Sequence, residues 1–540
     1  MSATLVARDL SMSFGARVVL DQVAITVAPP DRIGVVGPNG CGKTTLLRVL
    51  AGLVEPDDGT VTVSPRDATV GYLAQEIERR PGELTVDALA RVTGIADASQ
   101  ELDRATAALA PNKPDAADGY DVALQRWLRL GAADFPTRAE VTCAEVGLPV
   151  AALSQPLEQL SGGQAARVAL AGVRLARFDI VLLDEPTNDL DFDGLDRLEQ
   201  FIATRDGGVV IVSHDRSFLE RTITAVVELD EHTHRAWRFD SGWLAYLEER
   251  ATAHRHAVEA YETYRAERAE LEDRARRQRQ WAASGARRAA KRAPDHDKAQ
   301  RDFLINRTEK QAAKMRITEK ALARLDPVET PWQGWDLHLS IAAASRSGEL
   351  VARLDGAVIE RGSFRLGPID LSIHWAERVA ILGRNGSGKT TLLDALLGKV
   401  PLAAGTRHLG PGVVVGELEQ ARSQFTTDAP LLDALASALE PMRLLGSELR
   451  SRLAKLGLTA EQVGRRAATL SPGERTRAVL ALFTARAVNC LVLDEPTNHL
   501  DLPAIEELER ALADWQGTLL MVTHDRRLLE AVSFDTTIRL

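Results

Sequence analysis

Short, continuous apolar runs recur along the chain, and each is followed by a polar or glycine-rich break. Ile180-Val-Leu-Leu and Gly208-Val-Val-Ile-Val are such runs, Asp31-Arg-Ile-Gly-Val-Val is a short β-branched run feeding a glycine-rich turn, and the three are matched later by Cys490-Leu-Val-Leu, Thr518-Leu-Leu-Met-Val and Arg378-Val-Ala-Ile-Leu. Runs of four or five apolar residues without alternation predict strands buried on both faces of a mostly parallel sheet. Thr44-Thr-Leu-Leu-Arg-Val-Leu places its apolar residues at i, i+3 and i+4, the spacing of a helix. Strand, glycine turn, helix is an α/β pattern, and it occurs in both halves. Between them, from about Leu244 to Leu325, glycine is nearly absent and Ala, Glu, Gln and Arg dominate. Leu244, Leu247, Ala251, Val258 and Tyr261 form one heptad-like stripe, and Leu304, Thr308, Met315, Leu322 and Leu325 form another. Ala283-Ser-Gly285 and Arg292-Ala-Pro294-Asp295 break the pattern. This predicts two long antiparallel helices joined by a basic turn, reaching ~55–60 Å at ~1.5 Å per residue.

The two halves are copies. Gly37-Pro-Asn-Gly-Cys-Gly-Lys43-Thr44-Thr45 returns as Gly383-Arg-Asn-Gly-Ser-Gly-Lys389-Thr390-Thr391. Leu160-Ser-Gly-Gly-Gln164 returns as Leu470-Ser-Pro-Gly-Glu474, Leu183-Asp-Glu-Pro-Thr-Asn188 as Leu493-Asp-Glu-Pro-Thr-Asn498, and Ser213-His-Asp215 as Thr523-His-Asp525. The offset is 346 residues at Lys43/Lys389 and 310 at Asp184/Asp494, so the first copy carries 36 extra residues. Gln75 and Gln420 still lie 345 apart, which places the insertion between Gln75 and Ser161, within about 85–155. It includes Tyr120-Asp-Val-Ala-Leu-Gln-Arg-Trp-Leu-Arg-Leu, an amphipathic stretch expected to pack on its own domain.

Each repeated motif has a chemical reason. Gly-x-x-x-x-Gly-Lys-Thr between a strand and a helix lets backbone N–H groups converge on phosphate oxygens (Gly37, Asn39, Gly40, Gly42, Thr45; Gly383, Asn385, Gly386, Gly388, Thr391). Lys43 and Lys389 then reach the β- and γ-phosphates, and the hydroxyls of Thr44 and Thr390 can ligate Mg²⁺. Asp184 and Asp494, at the ends of apolar strands, would orient the metal's shell. Glu185 and Glu495 would polarise a water for in-line attack. Ser161-Gly162-Gly163 opens a helix with bare amides and a hydroxyl, favouring an anion; the plainer role of Ser161 is an N-cap. His214 and His524, also at strand ends, are placed to hydrogen-bond a γ-phosphate.

Composition changes the picture only when resolved along the chain. The 540 residues are 45% hydrophobic and 26% charged, which excludes a disordered chain, a collagen or a small disulfide scaffold. Three cysteines, Cys41, Cys143 and Cys490, make neither a disulfide framework nor a four-Cys zinc site, so a reducing cytosol is expected. No apolar run approaches the roughly 18 residues that would span a bilayer, and no membrane insertion is expected. The net charge of −10 argues weakly against nucleic acid as a partner, but residues 250–325 hold 20 Lys/Arg against 11 Asp/Glu. That segment is +9 and the remainder −19. Arg274 to Pro294 contains Arg274, Arg276, Arg277, Arg279, Arg287, Arg288, Lys291 and Arg292, no acid, and Trp281 in its middle. A basic tip with an interleaved aromatic suits phosphate neutralisation and base stacking, against the plainer meaning of a solvated charged face.

The ordered, duplicated set resembles the ATP-binding cassette superfamily, over roughly residues 4–240 and 349–540. The resemblance implies an α/β fold of two P-loop ATP-binding cassette domains (1–242 and 331–540) joined by a long antiparallel α-helical hairpin linker (243–330). It implies ATP hydrolysis with ATP and Mg²⁺, with Gln75 and Gln420 also near the metal. It also implies two composite sites made head to tail within a monomer: Lys43 facing Ser471-Pro-Gly473, and Lys389 facing Ser161-Gly-Gly. Phe14 fits the position of an adenine-stacking aromatic, whereas Phe364 falls at a different spacing. Pro472 departs from the signature, and Asp189 stands where the second copy has His499. Two fused cassettes with a charged helical linker look like the ABC-F subfamily, which resembles transporter ATPases but acts on ribosomes. That implies a cytoplasmic protein contacting rRNA and tRNA near the exit site and the peptidyl-transferase region, as a translation factor or an antibiotic-resistance protein. In some members an arm at the place of the 85–155 insertion touches the ribosome. The competing expectation is an energy-supplying ATPase subunit of a drug-efflux transporter, which would need no long basic hairpin.

Overall fold

The computed structural model describes residues 3–74, 77–109, 116–290, 317–318, 320–325, 346–362, 364–418, 425–439, 446–455, 458–470, 472–498 and 500–540. It divides into two compact units, Met1–Trp243 with Trp335–Leu540, and Leu244–Gly334.

In the first cassette, strands β1 (Thr4–Phe14) and β2 (Arg17–Val27) lead to β3 (Arg32–Val36), which feeds the glycine loop and helix α1 (Lys43–Leu50). β4 (Asp58–Ser64) and β5 (Val70–Leu73) precede four helices: α2 (Thr85–Val92), α3 (Ile95–Leu109), α4 (Ala116–Arg129) and α5 (Phe135–Glu145). Then come α6 (Gly162–Leu175), β6 (Ile180–Asp184), α7 (Phe192–Ala203), β7 (Gly208–Val212), α8 (Arg216–Thr222), β8 (Ala225–Leu229) and β9 (Ala236–Phe239). The main sheet runs β5-β6-β7-β3-β8-β9, parallel except for the last pair, and a small antiparallel sheet β2-β1-β4 packs beside it. Every residue of β6 and β7 is buried, which is why those segments read as unbroken apolar runs. The parallel order brings the C-terminal ends of β3, β6 and β7 to one edge, where strand-end side chains meet the glycine loop.

α9 (Trp243–Ala290) is a single helix of 48 residues, ~72 Å long at ~1.5 Å per residue. The expected break at Ala283-Ser-Gly285 does not occur. One glycine costs a helix only about 1 kcal/mol, and the surrounding Ala, Arg and Gln offset it. Arg274 to Arg288 therefore lie along a helix rather than in a turn. The helix is mostly polar and carries i, i+4 ion pairs Arg268–Glu272 (2.9 Å) and Glu270–Arg274 (2.8 Å). Its buried stripe within the second unit is Leu271 and Ala275, with Val258 and Tyr261 half-buried, while Leu244 and Ala251 are exposed. On the returning segment, Thr318 is buried and Leu322 is exposed; Leu304, Thr308 and Met315 lie outside the described residues.

The second cassette repeats the first with β10 (Leu350–Arg361), β11 (Phe364–His374), β12 (Arg378–Leu382), α10 (Lys389–Leu397), β13 (Ala404–Leu409), β14 (Val415–Glu417), α11 (Leu431–Ala438) and α12 (Gly446–Lys455). It continues with α13 (Pro472–Ala485), β15 (Cys490–Asp494), α14 (Leu502–Ala513), β16 (Thr518–Val522), α15 (Arg526–Ala531) and β17 (Thr536–Arg539). Its parallel sheet is ordered β14-β15-β16-β12-β17. Between α2 and α5 the first cassette inserts α3 and α4, a hairpin with no counterpart between α11 and α12 among the described residues. The hairpin packs largely on itself, through Trp127 Nε1 donating to Ser99 Oγ (3.0 Å) and Arg126–Glu101 (2.7 Å). Arg129 ties it to the cassette at Asp67 (2.8 Å), and Val122 and Leu128 are exposed.

Candidate active site

Each site begins at a glycine loop whose backbone excludes other residues. Gly42 (φ +108) and Gly388 (φ +100) are left-handed, and an added Cβ would meet Val19 Cγ1 at 2.7 Å or Phe364 Cζ at 2.8 Å. The loop turns back over its own lysine. Lys43 Nζ donates to the carbonyls of Gly37 (2.8 Å) and Pro38 (3.0 Å), and Lys389 Nζ to those of Gly383 (2.8 Å) and Arg384 (3.2 Å). Both lysines are buried. A buried ammonium beside the N-terminus of α1 or α10 makes a strong anion site.

The hydroxyl that follows each lysine meets the aspartate at the end of a strand two places away in the sheet, β6 or β15. Thr44 Oγ1 donates to Asp184 (3.2 Å) and Thr390 Oγ1 to Asp494 (2.7 Å). Tyr72, which the sequence pattern did not single out, also donates to Asp184 (2.9 Å). Burial and the Asp184 charge push its phenol up to about 12. The matching position in the second copy is Glu417, so no residue type was repeated there to notice.

The two glutamates share an uncommon backbone. Glu185 (φ 47) and Glu495 (φ 44) are left-handed non-glycine residues, each fixed by its N–H donating to Val212 O (2.8 Å) or Val522 O (2.9 Å). Such conformations cost about 1–3 kcal/mol and concentrate at functional sites. Burial raises both carboxyls to about 7; the nearby lysine opposes the shift and the adjacent aspartate adds to it. His214 Nε2 lies 3.2 Å from Glu185 Oε1, and His524 Nε2 lies 3.5 Å from Glu495 Oε1. These are not salt bridges. Burial, reinforced by the lysine, lowers His214 to about 3 and His524 to about 4, so both rings are neutral near pH 7. Lys389 Nζ lies 2.9 Å from His524 Nε2 and can only donate, which makes that nitrogen the acceptor.

The sites are completed from the other half of the chain. The Asn385 N–H donates to Asp191 Oδ2 (2.9 Å), its side chain donates to the Asp189 carbonyl (2.6 Å), and its carbonyl accepts from Arg167 (3.0 Å). A Cβ added to Gly163 would sit 3.5 Å from Asn385 Cβ. The first cassette's Ser161-Gly-Gly end thus lies against the second glycine loop. Ser161 itself is a reciprocal N-cap with Gln164, its plainer role. On the other side, the Asn39 N–H donates to Asp501 Oδ2 (3.1 Å). Asp191 and Asp501, each the N-cap of the helix that follows, were not picked out from the sequence, although both copies carry them three residues beyond the repeated Thr-Asn. A cavity of ≈770 Å³ lies where Gly162, Gly163, Asn385, Glu495 and His524 converge.

Phe14 is exposed at the end of β1 and pairs across the hairpin with Arg17; in the second copy Arg361 pairs with Phe364. Aromatic and arginine have exchanged strands, which accounts for the irregular spacing of Phe364. Arg276 and Arg277 lie on α9, as do the backbones of Arg279, Trp281, Arg287 and Arg288, and Gly473 lies on α13. Gln75, Gln420, Ser471, His499, Lys291 and Arg292 lie outside the described residues.

Two P-loops, each paired with a strand-end Asp-Glu and contacted by the opposite half, define a tandem-cassette nucleotide hydrolase. The family profile described as ABC transporter matches residues 20–188 and again 366–498. The chain is 36% identical to the tylosin resistance ATP-binding protein TlrC of Streptomyces fradiae, over 98% of this chain and 95% of that protein. It is 32% identical to the energy-dependent translational throttle protein EttA of Mycobacterium tuberculosis, over 97% and 89%. The solved structure titled RNase-L Inhibitor shares the fold, with a TM-score of 0.58 at 18% identity over 97% of this chain and 86% of that one. The chain belongs to the ATP-binding cassette family, within its ABC-F subfamily, and is an ATP hydrolase.

Proposed function

We propose that this chain is a cytoplasmic ribosome-acting ATPase in which ATP closes two composite sites and positions the basic linker on ribosomal RNA and tRNA. The observation that carries this is α9, a helix ~72 Å long with no acid between Arg274 and its end at Ala290. Cations concentrated on one long helix of an otherwise acidic chain fit a polyanionic partner. Two relatives named for tylosin resistance and for translational throttling support it. Among the described residues, no helix is long and apolar enough to cross a membrane. The expected test is co-sedimentation with ribosomes. A non-hydrolysable ATP analogue should carry the protein into the ribosomal pellet, ADP should not, and equal recovery with both would sink the proposal.

Glu185 and Glu495 would serve as general bases, with His214 and His524 beside the γ-phosphate and Lys43 and Lys389 on the β- and γ-phosphates. The donor set fits Mg²⁺. Each site offers a hydroxyl touching a carboxylate, and no group of three or more His, Cys, Asp or Glu converges among the described residues. That suits a small hard cation drawing its other oxygens from phosphates and water. Thr44 with Asp184, and Thr390 with Asp494, would hold it, and it would neutralise phosphate charge.

A base must be ionised to act, and burial holds both glutamates at about 7. Turnover at saturating ATP is therefore expected to rise about tenfold from pH 6 to pH 8 and to level off above. A flat profile in phosphate-release assays would contradict the assignment.

A further inference from the structure

The two ATP sites are built on one plan but differ where the opposite cassette touches the histidine. In both, the arginine after the His-Asp pair reaches the helix that follows the other cassette's capping aspartate. Arg216 pairs with Glu509 on α14, and Arg526 pairs with Glu199 (2.8 Å) and Asp196 (2.6 Å) on α7. Asp191 at the start of α7 holds the Asn385 N–H, so the second cassette grips α7 at its N-cap and again farther along. Between these two grips lies Phe192, the first residue of α7. Its ring meets the His524 ring edge-on, with centroids 5.1 Å apart and planes at 75°, and the Arg526 guanidinium carbon lies 5.7 Å from its centroid. In the other copy the matching residue is Leu502, which has no ring to offer His214.

His524 needs such a contact. Its Nε2 faces Lys389 and its backbone N–H donates to Glu495 Oε2 (3.2 Å), but Nδ1 has no hydrogen-bond partner among the described residues. One ring nitrogen is thus anchored, and rotation of the ring about that anchor is limited by packing alone. An aromatic edge against the imidazole, itself stacked on a guanidinium held by two carboxylates, restricts that rotation. Among the described residues His214 has neither device: no aromatic faces it, and neither ring nitrogen finds a partner of good geometry.

We propose that Phe192 is a positioning residue acting in trans, which fixes the His524 ring against Lys389 and Glu495 and makes the second ATP site the faster of the two. It rests on the roles assigned above to the glutamates, which the two parent Gln variants check by themselves.

Turnover is measured separately for each site, in Glu185→Gln, where the second site works, and in Glu495→Gln, where the first does. Adding Phe192→Leu, the residue the other copy uses, is expected to lower kcat about tenfold in the Glu185→Gln background with KM unchanged. It should change kcat less than about twofold in the Glu495→Gln background. Phe192→Tyr, which keeps the ring, should restore most of the rate, and the His524 ring-proton resonance should shift in the Leu variant but not in the Tyr variant. Equal losses in both backgrounds would overturn the proposal, as would a Tyr variant no better than Leu, or no change in either background.

Discussion

Replacing Glu185 and Glu495 together by Gln is expected to cut ATP turnover by about two to four orders of magnitude, the usual contribution of a positioned general base. ATP binding should survive. Each glutamate is half-buried and favours its neutral form up to about pH 7, and Gln matches that neutral form in shape and hydrogen-bonding capacity. The substitution therefore leaves no unpaired buried charge, the usual cause of large destabilisation at such positions. The contacts that close the sites, Asn385 with Asp191 and Asn39 with Asp501, do not involve the changed atoms. The double variant should consequently hold ATP between the cassettes and pellet with ribosomes in ATP itself, without an analogue. Phosphate release and retained nucleotide are the measurements. A residual rate above a tenth of the parent would move the base to another group.

The second large effect concerns the linker. Substituting Arg287, Arg288, Lys291 and Arg292 by Ala is expected to leave ATPase activity without ribosomes unchanged and to weaken ribosome binding. Binding driven by phosphate contacts falls with salt by about 0.7–0.9 in log–log slope per contact. Removing up to four contacts should flatten the slope by as much as ~3. A KCl series of sedimentation assays reads this directly. Intrinsic ATPase falling in parallel would mean the substitutions damaged the cassettes, and an unchanged slope would mean these residues touch no phosphate.

Much of the candidate site was legible because its motifs occur twice. Lys43 and Lys389, or Asp184-Glu185 and Asp494-Glu495, recur on strand–turn–helix flanks whose periodicity already placed them at strand ends. Tyr72 was not legible, since the second copy has Glu417 there and only the side-by-side pairing of β5 with β6 brings its hydroxyl to Asp184. The linker misled in one detail. Ser284-Gly285 looked like a stop, yet α9 continues to Ala290, because a single weak helix former cannot outweigh its strong neighbours. The charge of −10 misled more, being an average over acidic cassettes and a basic linker.

The sequence by itself determined the number of cassettes, their α/β character and the residues of each glycine loop, since these follow from local periodicity and from patterns carried on contiguous residues. Only the tertiary structure decided which residues from one half complete the site of the other. Asp191, Arg167 and Phe192 lie about 190 to 220 positions before Asn385 or more than 300 before His524. No local pattern encodes such pairs. Their partnership arises when two buried sheets orient the helices around them.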